Sequence, residues 1–373
     1  MQPSVHGNNE RVVLLKNIKT LAYNLMGLKN IYTKRSIINN PPTYIWLEPT
    51  NQCNLRCIMC PNGRGKVKIE KGYMKFILYK RIIDQIKDYA STVTLAVNGE
   101  SLLHQNIIDM VKYADLNGIK VNLNTNATLL SKEVAGSLLD SGISYINFAV
   151  DGFNKKMYEK ARLGADFEKT LNNISYFLRL KKTANQKKPY TVISILELNV
   201  EEYSEEEKQK FIARYYGLID ELRLREAASW GKTFKDSADF NYKKHDGTFL
   251  PCSRLWSTAC ISWNGRVLPC IYTTNHEYIL GDINEKPLMD IWNDLPMEKL
   301  RRAMLENRHL EILSLCENCI VTGTAPIMGI PSGLRLTISD AIANFLGSGF
   351  EKHALSIANF LRDGKFTSRT IRK

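Results

Sequence analysis

The apolar positions of this chain change their period several times, and each change predicts an element. Near the start, Leu14, Ile18, Leu21, Leu25 and Leu28 recur at three- and four-residue steps among Lys16, Lys19, Asn24 and Lys29. This spacing predicts a helix over 11–29, packed on the body by its apolar face or resting on a membrane surface or a partner. Asn39-Asn40-Pro41-Pro42 then breaks the chain. From Tyr44-Ile45-Trp46-Leu47 onwards, short β-rich runs alternate with helical periods. Val93, Leu95 and Val97 alternate, as do Ile119, Val121 and Leu123, and then Ile146, Phe148 and Val150. The runs Thr191–Leu198 and Ile219–Leu224 predict two further strands. Between them Leu103, Ile107, Met110 and Ala114 share a helical face ended by Asn117-Gly118, and Phe167, Leu171, Ile174 and Phe177 share another. Ser204-Glu205-Glu206-Glu207 predicts a capping box. Six strands with intervening helices imply an α/β fold with a parallel βα assembly, whose functional groups stand at the carboxyl ends of the strands.

Residues 225–250 are polar and irregular and predict a domain boundary. Beyond it, Trp263-Asn264-Gly265-Arg266-Val267 reads as a hairpin with an Asn-Gly turn. In the tail, Ile342-Ala343-Asn344-Phe345-Leu346 recurs as Ile357-Ala358-Asn359-Phe360-Leu361 around Gly347-Ser348-Gly349, which predicts two short helices joined by a turn. The expected organisation is an extension over 1–43, a main domain over 44–245, a small domain over 246–325 and a tail over 326–373.

Composition changes this picture little, whereas charge changes it more. The 373 residues are 44% hydrophobic and 24% charged, as in ordinary soluble proteins. No run is long enough for a signal peptide or a membrane span, which points to a reducing cytoplasm. The net charge of +13 is uneven. Residues 1–43 carry six Lys or Arg against one acid and residues 326–373 seven against three, while the middle is nearly balanced. A basic surface spread along the body, as nucleic-acid binding requires, is therefore not expected. The basic amphipathic segments 11–29 and 339–363 suggest peripheral contact with the cytoplasmic membrane face instead.

The candidate chemistry is carried by cysteine. Cys53, Cys57 and Cys60 are spaced C-x3-C-x2-C just after the first strand. Thiolates this close can turn onto one iron–sulfur cube, which is normally held by four cysteines. Three leave one iron open for a bound molecule. Zinc usually takes four ligands in paired spacings. Farther on come Cys252, Cys270 and the pair Cys316 and Cys319, with Gly265 between the first two. Four such thiolates can hold a tetrahedral zinc or a closed four-iron cluster. Cys260 reads as a small buried residue. Without export, a disulfide framework is not expected.

The first cysteine spacing, led by Asn51-Gln52-Cys53-Asn54, resembles the radical SAM enzymes. The resemblance implies a partial (βα)6 TIM-like barrel and a [4Fe–4S] cluster on Cys53, Cys57 and Cys60. The open iron of that cluster chelates S-adenosyl-L-methionine (SAM), which is cleaved to a 5′-deoxyadenosyl radical. Met59 stands where many members place an aromatic beside the adenine. Asn98-Gly99-Glu100 resembles the family's Gly-Gly-Glu, with Gly99 admitting the ligand and Glu100 accepting from the SAM ammonium. Asn124-Thr125-Asn126-Ala127 resembles its Thr-Asn-Gly, and Ala149-Val150-Asp151-Gly152 its Ser-x-Asp-Gly. Asn126 is equally a turn residue and Asp151 equally a helix cap. Arg162 is either a partner of the SAM carboxylate or a solvated side chain. The C-x12-G-x4-C spacing, Leu280-Gly281-Asp282-Ile283, Ile291-Trp292-Asn293 and the final C-x2-C resemble the SPASM extension, which implies one auxiliary [4Fe–4S] cluster.

The implied activity is hydrogen abstraction for a net oxidation, supplied by an acidic flavodoxin or ferredoxin electron donor. The substrate is a small molecule, a glycan or lipid-linked intermediate, or a peptide as in the maturases, though 43 residues are too few for a leader-binding domain. The competing class is a non-catalytic electron carrier or a zinc-stabilised RNA-binding module. An electron carrier has no use for the strand-end motifs.

Overall fold

A computed structural model describes residues 5–198, 202–226, 230, 249, 251–319 and 322. The predicted tail helices and most of the 225–250 linker lie outside the described residues. A long helix, α1 (Val5–Tyr32), leads to β1 (Tyr44–Leu47) and the two-residue β2 (Arg56–Cys57). Helices and strands then alternate: α2 (Phe76–Ile86), β3 (Thr92–Leu95), α3 (Ile107–Leu116), β4 (Lys120–Thr125), α4 (Lys132–Leu139) and β5 (Tyr145–Ala149). They continue as α5 (Lys155–Ala161), β6 (Arg162–Leu163), α6 (Phe167–Thr183), β7 (Tyr190–Glu197), α7 (Glu205–Tyr215) and β8 (Glu221–Glu226). The C-terminal part contributes β9 (Thr258–Ile261), β10 (Arg266–Leu268), β11 (Gly281–Asp282), α8 (Leu288–Trp292) and α9 (Leu295–Leu305).

The six predicted strands are β1, β3, β4, β5, β7 and β8, and they pair in parallel in that order. This is the partial (βα)6 barrel. Alternation sets its two faces. Ile45, Leu47, Val93, Leu95, Val121, Leu123, Ile146 and Phe148 are fully buried in the main hydrophobic core, where α2 also places Ile82, Ile83 and Ile86. Each such side chain contributes about 2 kcal/mol by leaving water. The opposite face is polar. Register places Thr94 beside Asn122 and Asn124 beside Asn147. The caps agree with the sequence: Ser204 and Glu207 form the predicted box, and Gly118 (φ +66) ends α3.

The sheet does not stop at the predicted boundary. β9 pairs in parallel with β1, Tyr44 opposite Thr258, and carries the antiparallel β10 and β11. Without β9, one edge of β1 would present a row of unpaired N–H and C=O groups. The Asn-Gly turn forms as expected, with Gly265 at φ +95.

The packing expected of α1 is corrected. Among its residues 16–32, Asn17, Thr20, Asn24, Gly27 and Asn30 are buried and Leu21 and Leu28 half-buried, whereas Ile18 and Leu25 are 47% and 55% exposed. Hydrogen bonding selects this face. Asn24 accepts from Thr43 (2.7 Å), and Asn30 donates to Asn40 (2.8 Å), which donates to the Trp256 carbonyl (2.7 Å). The stretch 30–43 is thereby bound to the C-terminal part. Trp292 also donates to the Asn40 carbonyl (2.9 Å), and Arg301 to that of Ser36 (3.2 Å).

Candidate functional site

The chain between β1 and α2 is largely irregular, and its own side chains fold it. Thr50 Oγ1 donates to the Gly72 carbonyl (2.6 Å), and Gly72 N donates to Asn51 Oδ1 (2.9 Å). Thr50 and Tyr73 also form an isolated β-bridge. The loop is thus closed just ahead of Cys53. On its other side β2 pairs with β6, Cys57 opposite Arg162, and Ile58 N donates to the Ala161 carbonyl (3.0 Å). Gly63 turns back onto this segment so closely that a Cβ there would lie 2.5 Å from the Cys57 carbonyl oxygen. One loop therefore holds the three predicted thiols between two clamps, with Cys53 exposed, Cys60 half-buried and Cys57 buried.

Although the residue is exposed as a whole, protein packed around the Cys53 sulfur pushes its thiol up to about 11, burial pushes the Cys57 thiol up to about 12, and the neighbouring Cys60 adds to both. Arg162 acts against the rise at Cys57. Its Nη1 lies 3.8 Å from Cys57 Sγ, and its Nη2 pairs with Asp151 Oδ2 at 2.5 Å. The solvated reading of Arg162 is excluded, since the residue is 8% exposed and its Nε is buried with no partner. Asp151 also accepts from Leu196 N (2.9 Å), and the cap of α5 is Asn154 rather than Asp151.

The other strand ends converge on the same loop. A Cβ on Gly99 would meet the Thr50 carbonyl oxygen at 2.2 Å, so this glycine admits the cysteine loop itself. Glu100 N donates to the Gln52 carbonyl (2.8 Å). The buried Glu100 carboxylate accepts from Leu102 N (3.0 Å), Thr125 Oγ1 (2.8 Å) and Asn126 N (2.8 Å). Burial raises its pKa, while these donors and Arg162 hold it down. Asn126 donates to Asn54 Oδ1 (3.0 Å) and accepts from Thr128 N (3.0 Å), so the turn role is present. Ala127 sits at φ +59, in the left-handed region that favours glycine. Met59 is buried in a small apolar cluster with Leu55, Met157, Ala161 and Leu198.

Three residues escaped the sequence reading. Glu48, directly after β1, is fully buried and accepts from Asn98 N (3.2 Å) and Trp263 N (3.3 Å). Asn62 Nδ2 bridges the carbonyls of Asn51 (2.8 Å) and Asn98 (2.6 Å). Lys71 Nζ donates to Asn62 and to the Asn51 carbonyl (3.2 Å). The available signals were an acid continuing an apolar strand, and Asn62-Gly63 close behind Cys60.

Cys252, Cys270, Cys316 and Cys319 line one small apolar cavity with Leu255, Leu300, Met304 and Leu313. Cys252 caps the turn Ser253–Trp256, Cys270 follows β10, and Cys316 and Cys319 close the turn Ser314–Asn318. Burial pushes Cys252 up to about 11 and Cys270 up to about 12, and it raises Cys316, with the other thiolates adding to each. Cys260 lies apart in β9, opposite Trp46 and Leu268, and is buried.

Among the described residues, no three His, Cys, Asp or Glu side chains are gathered so as to hold a single metal ion. No disulfide joins any of the eight cysteines. Thiolates gathered this closely repel one another, and a cationic group bound among them would lower that cost. Arg162 Nε, buried without a partner, gives the loop set a polar side, while the C-terminal cavity is mostly apolar but also has Arg254, Tyr272 and Thr322 in its lining.

Comparison with known proteins agrees in both places. Residues 47–212 match the Radical SAM superfamily, and residues 246–320 match an iron–sulfur cluster-binding domain, SPASM. The AdoMet-dependent heme synthase of Methanosarcina barkeri is 23% identical over 304 residues, covering 71% of this chain and 86% of that protein. The S-adenosyl-L-methionine-dependent 2-deoxy-scyllo-inosamine dehydrogenase of Niallia circulans is 25% identical over 283 residues, covering 74% and 91%. The crystal structure of Streptococcus suis SuiB bound to precursor peptide SuiA shares the fold, with a TM-score of 0.58 and 16% identity over 74% of this chain and 70% of that one.

Proposed function

This chain is a radical SAM enzyme with a C-terminal SPASM-type iron–sulfur domain, and on that premise we propose that it oxidises a polar, hydroxylated substrate with two [4Fe–4S] clusters. The observation that carries the reading is the division of seven cysteines between one clamped loop and one closed cavity. Cys53, Cys57 and Cys60 hold the SAM-binding cluster, and Cys252, Cys270, Cys316 and Cys319 the auxiliary one. Three thiols in one loop suit a cube with one open iron better than a zinc ion, which usually takes four ligands in paired spacings. Bound in the loop, the first cluster supplies the electron that cleaves SAM to methionine and a 5′-deoxyadenosyl radical.

The protein's part is orientation. Glu100, preset by Thr125 and Asn126, takes the SAM ammonium, and Arg162, held by Asp151, offers its free Nε to the carboxylate. Gly99 and Asn126 keep the loop in register, and Met59 stands beside the adenine site. The four-part division at 43, 245 and 325 belongs to the same reading. A polar substrate is supported by Thr94, Asn122 and Asn124 on the sheet's polar face, and by Asn147 beside them, whose Oδ1 is buried without a partner. One relative is named for dehydrogenation of 2-deoxy-scyllo-inosamine. A glycan or a related polyol fits this face better than a peptide.

Anaerobically reconstituted protein with dithionite should convert SAM to 5′-deoxyadenosine, while the variant Cys53→Ala/Cys57→Ala/Cys60→Ala makes none yet retains about four irons per chain. Equal turnover in both would sink the reading, and zinc without iron in the variant would reassign the C-terminal cavity.

Among the described residues, no helix is long and apolar enough to cross a membrane. A peripheral contact is supported by Ile18, Leu25 and Tyr32, spaced by seven on one face of α1 and exposed beside Lys19 and Lys29. Sedimentation with anionic vesicles at low salt, lost at high salt, is the expected result, and no sedimentation at low salt rules the contact out.

A further inference from the structure

We infer that the groove between α2 and the β9–β10 turn is the docking surface for an acidic one-electron carrier protein, an inference that rests on the reductive cleavage of SAM proposed above. The groove encloses about 840 Å³, with Lys75, Lys80 and Arg81 along one wall and Trp263 and Asn284 along the other. The body of the chain is close to neutral, but this side of it is not. Residues 64–81 hold seven Lys or Arg against one acid, Glu70. Of the seven, all but the half-buried Lys80 are exposed.

Two of the cations on the groove wall, Lys80 and Arg81, are held by neutral groups. Lys80 Nζ lies 5.5 Å from the centre of the Phe76 ring and 6.0 Å from that of Tyr113. Arg81 Nη2 donates to the neutral Asn284 Oδ1 (2.6 Å). Asp84, an acid in the groove lining, accepts from the Tyr113 hydroxyl (3.0 Å) and pairs with Lys87 (3.6 Å). A preset positive surface of this kind steers an acidic partner and orients it.

The groove is also joined to the cysteine loop. The Trp263 ring packs against Gly72, where a Cβ would meet it at 2.4 Å, and its Nε1 is buried with no partner. Gly72 and Tyr73 are the residues bonded to Asn51 and Thr50, a few positions before Cys53. The Trp263 backbone N–H is bonded to Glu48 (3.3 Å). A carrier seated here rests on residues tied to the loop that receives its electron. The step is one electron transferred: the carrier is oxidised by one, the loop cluster reduced by one, and no bond or proton changes place.

The test uses the reconstituted enzyme and a flavodoxin of net negative charge. Affinity is measured by calorimetry, and 5′-deoxyadenosine formation is measured with reduced flavodoxin and, separately, with dithionite. Affinity should fall at least about tenfold between low and high salt, and by at least about tenfold in Lys75→Glu/Lys80→Glu. Flavodoxin-supported turnover should fall with it while dithionite-supported turnover persists. The neutral variant Lys75→Gln/Lys80→Gln should show a smaller loss in the same direction, which guards against misfolding. The remote Lys155→Glu/Lys210→Glu should change affinity by less than about twofold, its charges lying outside the groove. Unchanged affinity in both groove variants, or an equal loss in the remote one, overturns the proposal. So does loss of dithionite-supported turnover with flavodoxin affinity intact, which would give the groove to an anionic substrate. No 5′-deoxyadenosine from the wild type with dithionite would overturn the function itself, and the docking proposal with it.

Discussion

The two cysteine sites differ in what surrounds the sulfur. In the loop the thiols stand among hydrogen-bonded polar groups, with Arg162 beside Cys57, Lys71 on the same loop and Cys53 exposed. In the C-terminal cavity they face mostly apolar side chains, Leu255, Leu300, Met304 and Leu313 among them, although Arg254 and Tyr272 also line it. On the function proposed above, the loop would offer three ligands and a polar side from which a second molecule could reach a bound metal centre. On the same reading the cavity would offer four ligands and mostly apolar walls, which suits a closed centre that exchanges electrons. Sequence spacing counts the ligands, but only the surroundings tell an open site from a closed one.

The sharpest way to break this comparison is to remove the closed site. Cys316→Ser/Cys319→Ser should lower iron from about eight to about four per chain while SAM is still cleaved without substrate turnover. If SAM cleavage disappears with that iron, the two centres are one functional unit and the contrast fails. A smaller effect separates the charge dependence of the two sites. Asp151→Asn leaves the Arg162 guanidinium buried without its anion, which should cost on the order of 3 kcal/mol in chemical denaturation of the apoprotein. An unchanged midpoint would mean that Cys57 and solvent already balance that charge. Smallest of all, Cys260→Ala removes a buried sulfur that belongs to neither set. It should cost about 1–2 kcal/mol and leave the iron content as it was. Loss of four irons would move Cys260 into the cavity's ligand set.

Much of the barrel was legible because its strands alternate strictly. Val93 with Leu95 and Val121 with Leu123 each point one way, and their polar neighbours point the other. Local chemistry was legible too, as in the Ser204–Glu207 box and the turn at Gly265. What failed depended on partners far along the chain. The leucines of α1 promised a packing face, but Asn24 and Asn30 won it by bonding to Thr43 and Asn40. At the site, the cysteines and Glu100 were readable as residue types. That Gly99 faces the Thr50 backbone, and that Asp151 draws Arg162 under Cys57, are facts of packing that no spacing carries.

The parallel pairing of β1 with β9 has a consequence for synthesis of the chain. Tyr44–Leu47 emerges from the ribosome early and finds β3 soon afterwards, but its other partner, Thr258–Ile261, is made more than two hundred residues later. Through that interval the nascent barrel carries a bare strand edge beside the cysteine loop, and edges of this kind invite pairing with other chains. Closure of so distant a pair is intrinsically slow. The C-terminal domain is therefore also the cover of the barrel, and a chain truncated before residue 258 would leave the ribosome with its first strand half-paired.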